Sequence, residues 1–557
     1  MEVYNAEQFS GKALDHLGLV ADTMDELGLL SFFDEKLPLN ASCGVKVSMG
    51  ERVAAMIFNG LGFINTRLYM FPDFLATKPV ARLFGKPLEP AWFNDDALGR
   101  CLDAIHAYGT TKLFTEFSLG VALKKGFLGK SIHLDTSTLQ LYGEYDSEEP
   151  STAPQVVPSQ PSPPIPARGH SKSHRHDLKQ MVINLATTGS ANFPIWMESH
   201  SGYASDKVIL PDSAVRMNEL CKNLAGMPDI LYVGDSAMYA NILEHSEHLK
   251  WLSRVPENIK EAKDLLLRPD SELTWVSLPE GYSYHVTESK YKQVKQRWVM
   301  IFSKQAYLRE VKTLERNIGK EKKEFDKKWW HLSNELFSCA NDATLAAQEL
   351  AKEMKYHKAE FHTVSITKHT GKGRPPKGAV PETTGYNIVF SLSQDADKVH
   401  AATRKKGRFI LGTNELSTEV LPDNQMLSEY KEQAGTERGF KFIKDSSFEL
   451  STIFLKSAAR IDALMMIMTL CLMVYGVAQY NLREALQKAG ETIPDQKHQP
   501  TNKPSMKFVY WLFSNVQELT IDTGEVIQKF VVNLNAVLKQ ILRHCGPRAR
   551  AIYLNSA

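Results

Sequence analysis

The chain has 557 residues, too many for one hydrophobic core, so roughly three or four domains are expected. Its 43% hydrophobic and 23% charged residues are ordinary for a globular protein, and a net charge of +2 neither demands nor excludes nucleic acid, so any basic binding surface must be local. Six cysteines, at 43, 101, 221, 339, 471 and 545, include no CxxC pair, which argues against a disulfide scaffold or a cysteine zinc module and fits a reducing cytoplasm.

The first residues, Met1-Glu-Val-Tyr-Asn-Ala-Glu7, lack the basic and apolar regions of a secretory signal. Residues 1–125 are predicted to form a small all-α domain. Leu14, Leu17, Met24 and Leu27 make one apolar stripe, Ser48 is placed to cap a helix through Val53, Met56 and Ile57, and Asn94 to cap one through Leu98, Leu102 and Ile105. Residues 126–250 change character. Ser131-Ile-His-Leu-Asp135 is predicted as a short strand ending in an acid. Residues 149–168 carry seven prolines and are predicted as a loop. Two strands follow, from Met181 and from Phe193, then a helix over 206–224 and a buried strand, Ile230-Leu-Tyr-Val-Gly234, again ending in an acid, Asp235.

Residues 251–405 read as a β-rich and helical segment. It has strands at Trp251–Val255, near Trp275 and Tyr284, at Trp298–Phe302, Phe361–Thr367 and Tyr386–Leu392, and a charged helical stretch over 304–357. Residues 406–490 return to a buried strand, Arg408–Gly412, a helix over 430–444 and an apolar helix over 451–487. The most apolar run, Ala463–Ala478, has 16 residues, short of the roughly 20 that cross a bilayer, and is expected to be a core helix with no membrane partner. Pro494, Pro500 and Pro504 mark a linker within 491–557, followed by predicted helices over 506–519 and 523–544.

Tyr430, Gln433, Glu437 and Lys444 have offsets of 0, 3, 7 and 14, which on one helix of 3.6 residues per turn place a phenol, an amide, a carboxylate and a cation on one face. Such a face builds core poorly and suits a phosphodiester held beside a metal ion. Asp135 and Asp235, each after a predicted strand, and Glu437 on that helix form a set of three carboxylates. Two-metal phosphoryl transfer needs carboxylates of this kind converging on divalent ions, for which Mg²⁺ is suited.

The spacing resembles the pattern Tyr-x2-Arg-x3-Glu-x6-Lys of bacterial insertion-sequence transposases with an Asp-Asp-Glu triad, with Gln433 in place of the Arg. The 202-residue separation of Asp235 and Glu437 (437 − 235) is similar to that of the subgroup in which a β-rich domain interrupts the core. Gly169-His-Ser-Lys-Ser-His-Arg-His-Asp177-Leu, Gly234-Asp-Ser-Ala-Met-Tyr239 and Leu252-Ser-Arg-Val-Pro256 also resemble family segments. Asn94-Asp-Asp-Ala-Leu-Gly-Arg100 fits its end-binding region. The resemblance implies a multidomain α/β fold: a ribonuclease H-like core (126–250 and 406–490) interrupted by an insertion domain (251–405), an all-α end-binding domain (1–125) and C-terminal helices (491–557) that are plausible dimer contacts. It implies a cytoplasmic, bacterial DNA transposase that works as a homodimer on paired ends. Asp135, Asp235 and Glu437 would hold two Mg²⁺ ions (Mn²⁺ may substitute) to cut at terminal inverted repeats and join the 3′ ends to target DNA. The alternatives are a metal-dependent nuclease of the same fold without strand transfer, a catalytically idle DNA-binding relative, and a metal-free structural protein.

By the same resemblance Tyr430, Gln433 and Lys444 would contact phosphates of the cut strand, with Arg438 near them. The amide of Gln433 cannot form the two-pronged contact of an Arg. Arg254 is expected either at DNA near the cut end or in a surface ion pair. Lys172, His174 and Arg175 would approach DNA or the metal site, or else line a polar strand entrance. His170, His174, His176 and Asp177 match no compact zinc module. Residues 304–377 hold sixteen Lys/Arg against ten Asp/Glu, and Arg374 is a candidate for a minor groove, the other reading being a solvated loop.

Overall fold

In the computed structural model, which describes residues 8–39, 44–62, 67–142, 145, 163–170, 175–189, 191–222, 229–369, 377, 380–445, 455–524 and 526–554, the chain is multidomain and α/β and divides into two compact units. One unit joins residues 1–251 to 429–557; the other is 252–428.

The first unit begins with β1 (Phe9–Ala13) and the helices α1 (Leu17–Leu27), α2 (Leu29–Lys36), α3 (Met49–Leu61), α4 (Phe71–Ala76), α5 (Val80–Phe84), α6 (Asp95–Tyr108) and α7 (Thr110–Lys125). The apolar stripe of α1 is wholly buried. Ser48 and Glu51 form a reciprocal capping box on α3, and Asn94 accepts from the Ala97 N–H on α6. Next come β2 (Ser131–Leu141), β3 (Lys179–Thr188), β4 (Phe193–Ser201), α8 (Asp206–Lys222), β5 (Leu231–Gly234) and α9 (Ser236–Ile242). The strands lie in the order β4-β3-β2-β5, with β2–β3 and β3–β4 antiparallel and β2–β5 parallel, so the sheet is mixed. Nearly every β2 and β3 residue is buried, as expected of strands covered on both faces.

The second unit takes in the last three residues of β6 (Lys250–Arg254), then α10 (Lys260–Leu267), β7 (Val276–Leu278), β8 (Tyr282–Tyr291), β9 (Val294–Ser303), α11 (Lys304–Ser333), α12 (Ala340–Lys352), β10 (His357–Lys368), β11 (Glu382–Gln394), α13 (Ala396–Arg404) and β12 (Arg408–Thr413). β6, β12, β9, β8 and β7 pair antiparallel in that order. Helices α11 and α12 close over the β10–β11 ribbon around Phe325, Trp329, Ala343, Ala347, Met354 and Ile388. Glu321 of α11 accepts from the backbone N–H groups of Lys355, Tyr356 and His357, which fixes the start of β10. This unit ends at residue 428, so it includes the strand at 408–413 that sequence reading assigns to the core.

The chain returns through α14 (Asp423–Lys431), α15 (Ala434–Ile443), α16 (Ala458–Ala489), β13 (Ile493–Pro494), β14 (Pro500–Thr501), α17 (Met506–Leu512), β15 (Gln517–Asp522), β16 (Ile527–Val532), α18 (Ala536–Arg543) and α19 (Pro547–Leu554). Helix α16 is long and apolar enough to cross a membrane by length and composition, yet 78% of its most apolar window is buried within the fold, as for a core helix.

Three expectations are corrected. The N-terminal region is not purely α-helical, because β1 pairs with β15. The expected helix over 523–544 is instead β16 followed by α18, and β15 and β16 form a hairpin completing a three-stranded sheet. The strand at Ser131 does not stop at Asp135 but continues to Leu141, because Thr136 to Leu141 pair with Lys179 to Asn184 of β3. The C-terminal segment is occupied within the chain. Asp22 of α1 accepts from the N–H groups of Gly546 and Ala549, and the Tyr553 hydroxyl donates to the Asp15 carbonyl.

One buried carboxylate ties four elements together. Asp462 of α16 accepts from His106 Nδ1 (2.8 Å) of α6, from Thr110 Oγ1 (2.5 Å) of α7 and from Ser199 of β4. Replacing Asp462 by Ala leaves two buried hydroxyls without an acceptor, at about 1–3 kcal/mol each. Urea unfolding should therefore show Asp462→Ala less stable by about 2–4 kcal/mol, with Asp462→Asn in between. An unchanged midpoint for the Ala variant would rule this network out as a support of the unit.

Candidate active site

Side chains alternate along β2, so His133, Asp135 and Ser137 share one face. The segment from Glu432 to Lys444 lies along that face. Glu432 Oε2 is 3.8 Å from His133 Nε2 at one end, and Lys444 Nζ is 2.6 Å from Ser137 Oγ at the other. Between them Thr436 Oγ1 donates to the His133 carbonyl (3.2 Å) and lies 2.7 Å from Thr187 Oγ1 of β3. Asp135 lies between the two β2 anchors, and Glu437, next to Thr436, lies between the two helix anchors.

Asp235 follows a strand that runs beside β2. Ser131, Ile132 and His133 pair in parallel with Leu231, Tyr232 and Val233, and the pairing ends there, two residues short of both Asp135 and Asp235. Asp235 follows β5 directly and caps α9, its Oδ1 accepting from the Ala237 N–H at 2.9 Å. Asp135 Oδ1 accepts from the Thr136 N–H at 2.7 Å. Both aspartates are half-buried and Glu437 is exposed.

The single helix expected over 430–444 is broken. Helix α14 ends at Lys431 and α15 starts at Ala434. Hydrogen bonds from Glu432 to Glu429, Gln433 to Tyr430 and Gly435 to Glu432 span three residues, a tightened turn. Tyr430 therefore sits on a different helix from Glu437. Gln433 is buried and its amide faces the Leu134 carbonyl at 3.4 Å, so it is turned to the sheet. Two glycines let α15 sit so close. A Cβ at Gly435 would lie 1.9 Å from Asn192 Oδ1, and one at Gly439 would lie 2.9 Å from Leu472 Cδ2.

Among the described residues, the metal-capable side chains that converge to within 4.8 Å are His133, Glu429 and Glu432, not Asp135, Asp235 and Glu437. Sequence reading passes over this trio, although a His two residues before Asp135 on a strand already shares its face. Burial lowers the His133 pKa to about 4, so its ring is neutral at ordinary pH.

The other expected DNA contacts are dispersed. Arg254 pairs with Glu257 (2.9 Å) and lies over the Phe409 ring, which favours the surface ion-pair reading. Arg175 makes a two-pronged contact with Asp177. Arg438 is exposed on α15. Lys172, His174 and Arg374 lie outside the described residues.

Residues 9–119, the β1 to α7 region, match a domain of unknown function, DUF4277. No curated protein matches the chain. Among solved structures, the cryo-EM structure of a piggyBac transposase synaptic complex with hairpin DNA aligns with 89% of this chain and 79% of its own, at 12% identity and a TM-score of 0.36. A superposition that loose carries no argument about activity.

The contacts of Thr436 give a direct test of how α15 is held. Thr436→Val keeps the shape of the side chain and removes the hydroxyl from the His133 carbonyl and Thr187. It should cost about 1–3 kcal/mol in urea unfolding. A stability equal to wild type would mean that packing alone places Glu437.

Proposed function

We propose that the chain is a metal-dependent DNA transposase whose reactive site is built from Asp135, Asp235 and Glu437. The observation that supports this reading is that the contacts Glu432–His133 and Lys444–Ser137 flank Asp135 on β2 and Glu437 on the facing segment, while Asp235 follows the strand that pairs in parallel with β2. In this reading β2 to β5 with α15 are a ribonuclease H-like core. The unit at 252–428 is the insertion that separates the second aspartate from the glutamate.

The donor set fits a hard divalent cation. Three carboxylates on neighbouring elements, two half-buried and one exposed, offer oxygens while leaving room for water and phosphate, which is what Mg²⁺ demands. When bound, a pair of such ions polarises the scissile phosphate and stabilises the attacking and leaving oxygens. The residues of the chain do the rest. Asp135 and Asp235 are held in place by the sheet and by backbone N–H groups on one oxygen each. Glu437 closes the site from the helix. Lys444, which reaches the same face through Ser137, supplies a cation for the phosphate of the strand being cut. The helical region over 9–119 would bind the terminal inverted repeats, and two copies of the chain would hold two ends together for coordinated cutting. Gln433 is no part of the DNA grip in this arrangement.

The test is incubation of purified full-length protein with Mg²⁺ and DNA carrying the ends of the element. Nicking followed by joining to a second duplex is expected. Asp135→Asn, Asp235→Asn and Glu437→Gln should each lower cleavage by about 10³-fold or more, the equivalent of several kcal/mol of lost charge stabilisation. EDTA should abolish cleavage. Nicking without joining would make the protein a nuclease, and full activity in all three variants would place the site elsewhere.

A further inference from the structure

The trio His133, Glu429 and Glu432 lies beside this site but is not part of it. One ring nitrogen of His133 and one oxygen from each glutamate come within 4.8 Å of one another. His133 is 3% exposed. Its Nε2 lies 3.0 Å from Ser131 Oγ, while Nδ1 is buried without any hydrogen-bond partner. The nitrogen near Glu432 is Nε2, so an ion held there would take the place of its contact with the Ser131 hydroxyl. Its distance to Glu432, 3.8 Å from Nε2 to Oε2, is too long for a hydrogen bond and suits a bridging ion. Two carboxylates facing one imidazole also concentrate negative charge at one point.

We propose that His133, Glu429 and Glu432 bind one divalent transition-metal ion, separate from the hard-cation site at the aspartates. Mixed imidazole and carboxylate donors suit Zn²⁺ or Mn²⁺ better than Mg²⁺. The ion joins the strand that carries Asp135 to the turn at the α14–α15 junction. It therefore pins the turn that leads into Glu437. Glu429 lies in the last turn of α14 and Glu432 in the turn that follows it, three residues on, so both can face the same ring. The site stands on its own residues and does not depend on the proposed transposase activity.

The experiment uses the full chain and Zn²⁺ alone. Equilibrium dialysis and thermal unfolding are run on wild type, on Glu429→Gln/Glu432→Gln and on Asp135→Asn/Asp235→Asn. Glu432 is exposed and Glu429 half-buried, so the first pair is expected to fold, and circular dichroism verifies it. Wild type should bind one Zn²⁺ equivalent that the glutamate pair loses or holds at least about tenfold more weakly. The melting temperature of wild type and of the aspartate pair should rise with Zn²⁺, and that of the glutamate pair should not. Unchanged Zn²⁺ stoichiometry and affinity in the glutamate pair would overturn the proposal. So would loss of the same equivalent in the aspartate pair alone, which would assign the ion to the aspartates.

Discussion

The position of α15 against β2 is the constraint on which the candidate site depends. A helix is held at the face of a strand only if apolar packing and backbone hydrogen bonding are both satisfied. Here Phe440, Phe442 and Ile443 supply the buried apolar side, while Thr436 and Gln433 turn to carbonyls of β2. These carbonyls belong to consecutive residues, His133 and Leu134, so the turn of α15 nearest them cannot slide without breaking both contacts. Lys444 fixes the far end through Ser137. Glu437 is exposed, and its neighbours, not the carboxylate itself, carry the packing.

The same unit is closed by contacts between the ends of the chain. Arg82 of α5 pairs with Glu518 of β15 and donates to the Ile552 carbonyl of α19, and Asp22 of α1 caps the start of α19. Asp462 then links the helical layer to β4 through α16. The region matching DUF4277 is thus built into a structure completed by residues from the C-terminal segment and from the buried helix. An isolated piece covering 9–119 would expose the apolar faces that α16 and α19 cover, which argues against treating it as a free-standing module.

Much of the fold is legible in sequence because it is local. The stripe on α1, the caps Ser48 and Asn94, the apolar α16 and the charged α11 and α12 follow from periodicity and capping chemistry. What escapes is nonlocal or nearly periodic. β1 pairs with β15, Phe9 opposite Ile521, and no local pattern reveals a partner 512 residues away (521 − 9). β2 continues past Asp135 because β3 offers a partner, although an acid after an apolar run reads as an end. The break in the Tyr430–Lys444 segment is invisible because Gln433 keeps a right-handed helical φ and ψ, −53° and −26°. A single tightened turn barely disturbs the 3.6-residue spacing. That spacing therefore holds for Glu437 and Lys444, at the two ends of α15, but not for Tyr430, which lies on α14, or for Gln433, whose amide turns to the Leu134 carbonyl. His133 goes unnoticed for a different reason. A histidine inside an apolar strand is usually core, and only the folded turn at 429–432 gives it carboxylate company.

Charge explains why such an arrangement is kept. Like charges gathered at one point are destabilising, so the proposed site, with Asp135, Asp235 and Glu437 together, would need a compensating cation. Lys444 reaches the face of β2 that carries Asp135, one cation for three acids in that reading, and a divalent ion would supply the remaining charge. With glycine at 435 and 439, the helix backbone can sit where any Cβ would strike Asn192 or Leu472. A larger residue at either position would push α15 away from Asn192 or Leu472, and Glu437 with it, while leaving every hydrophobic residue of α15 unchanged.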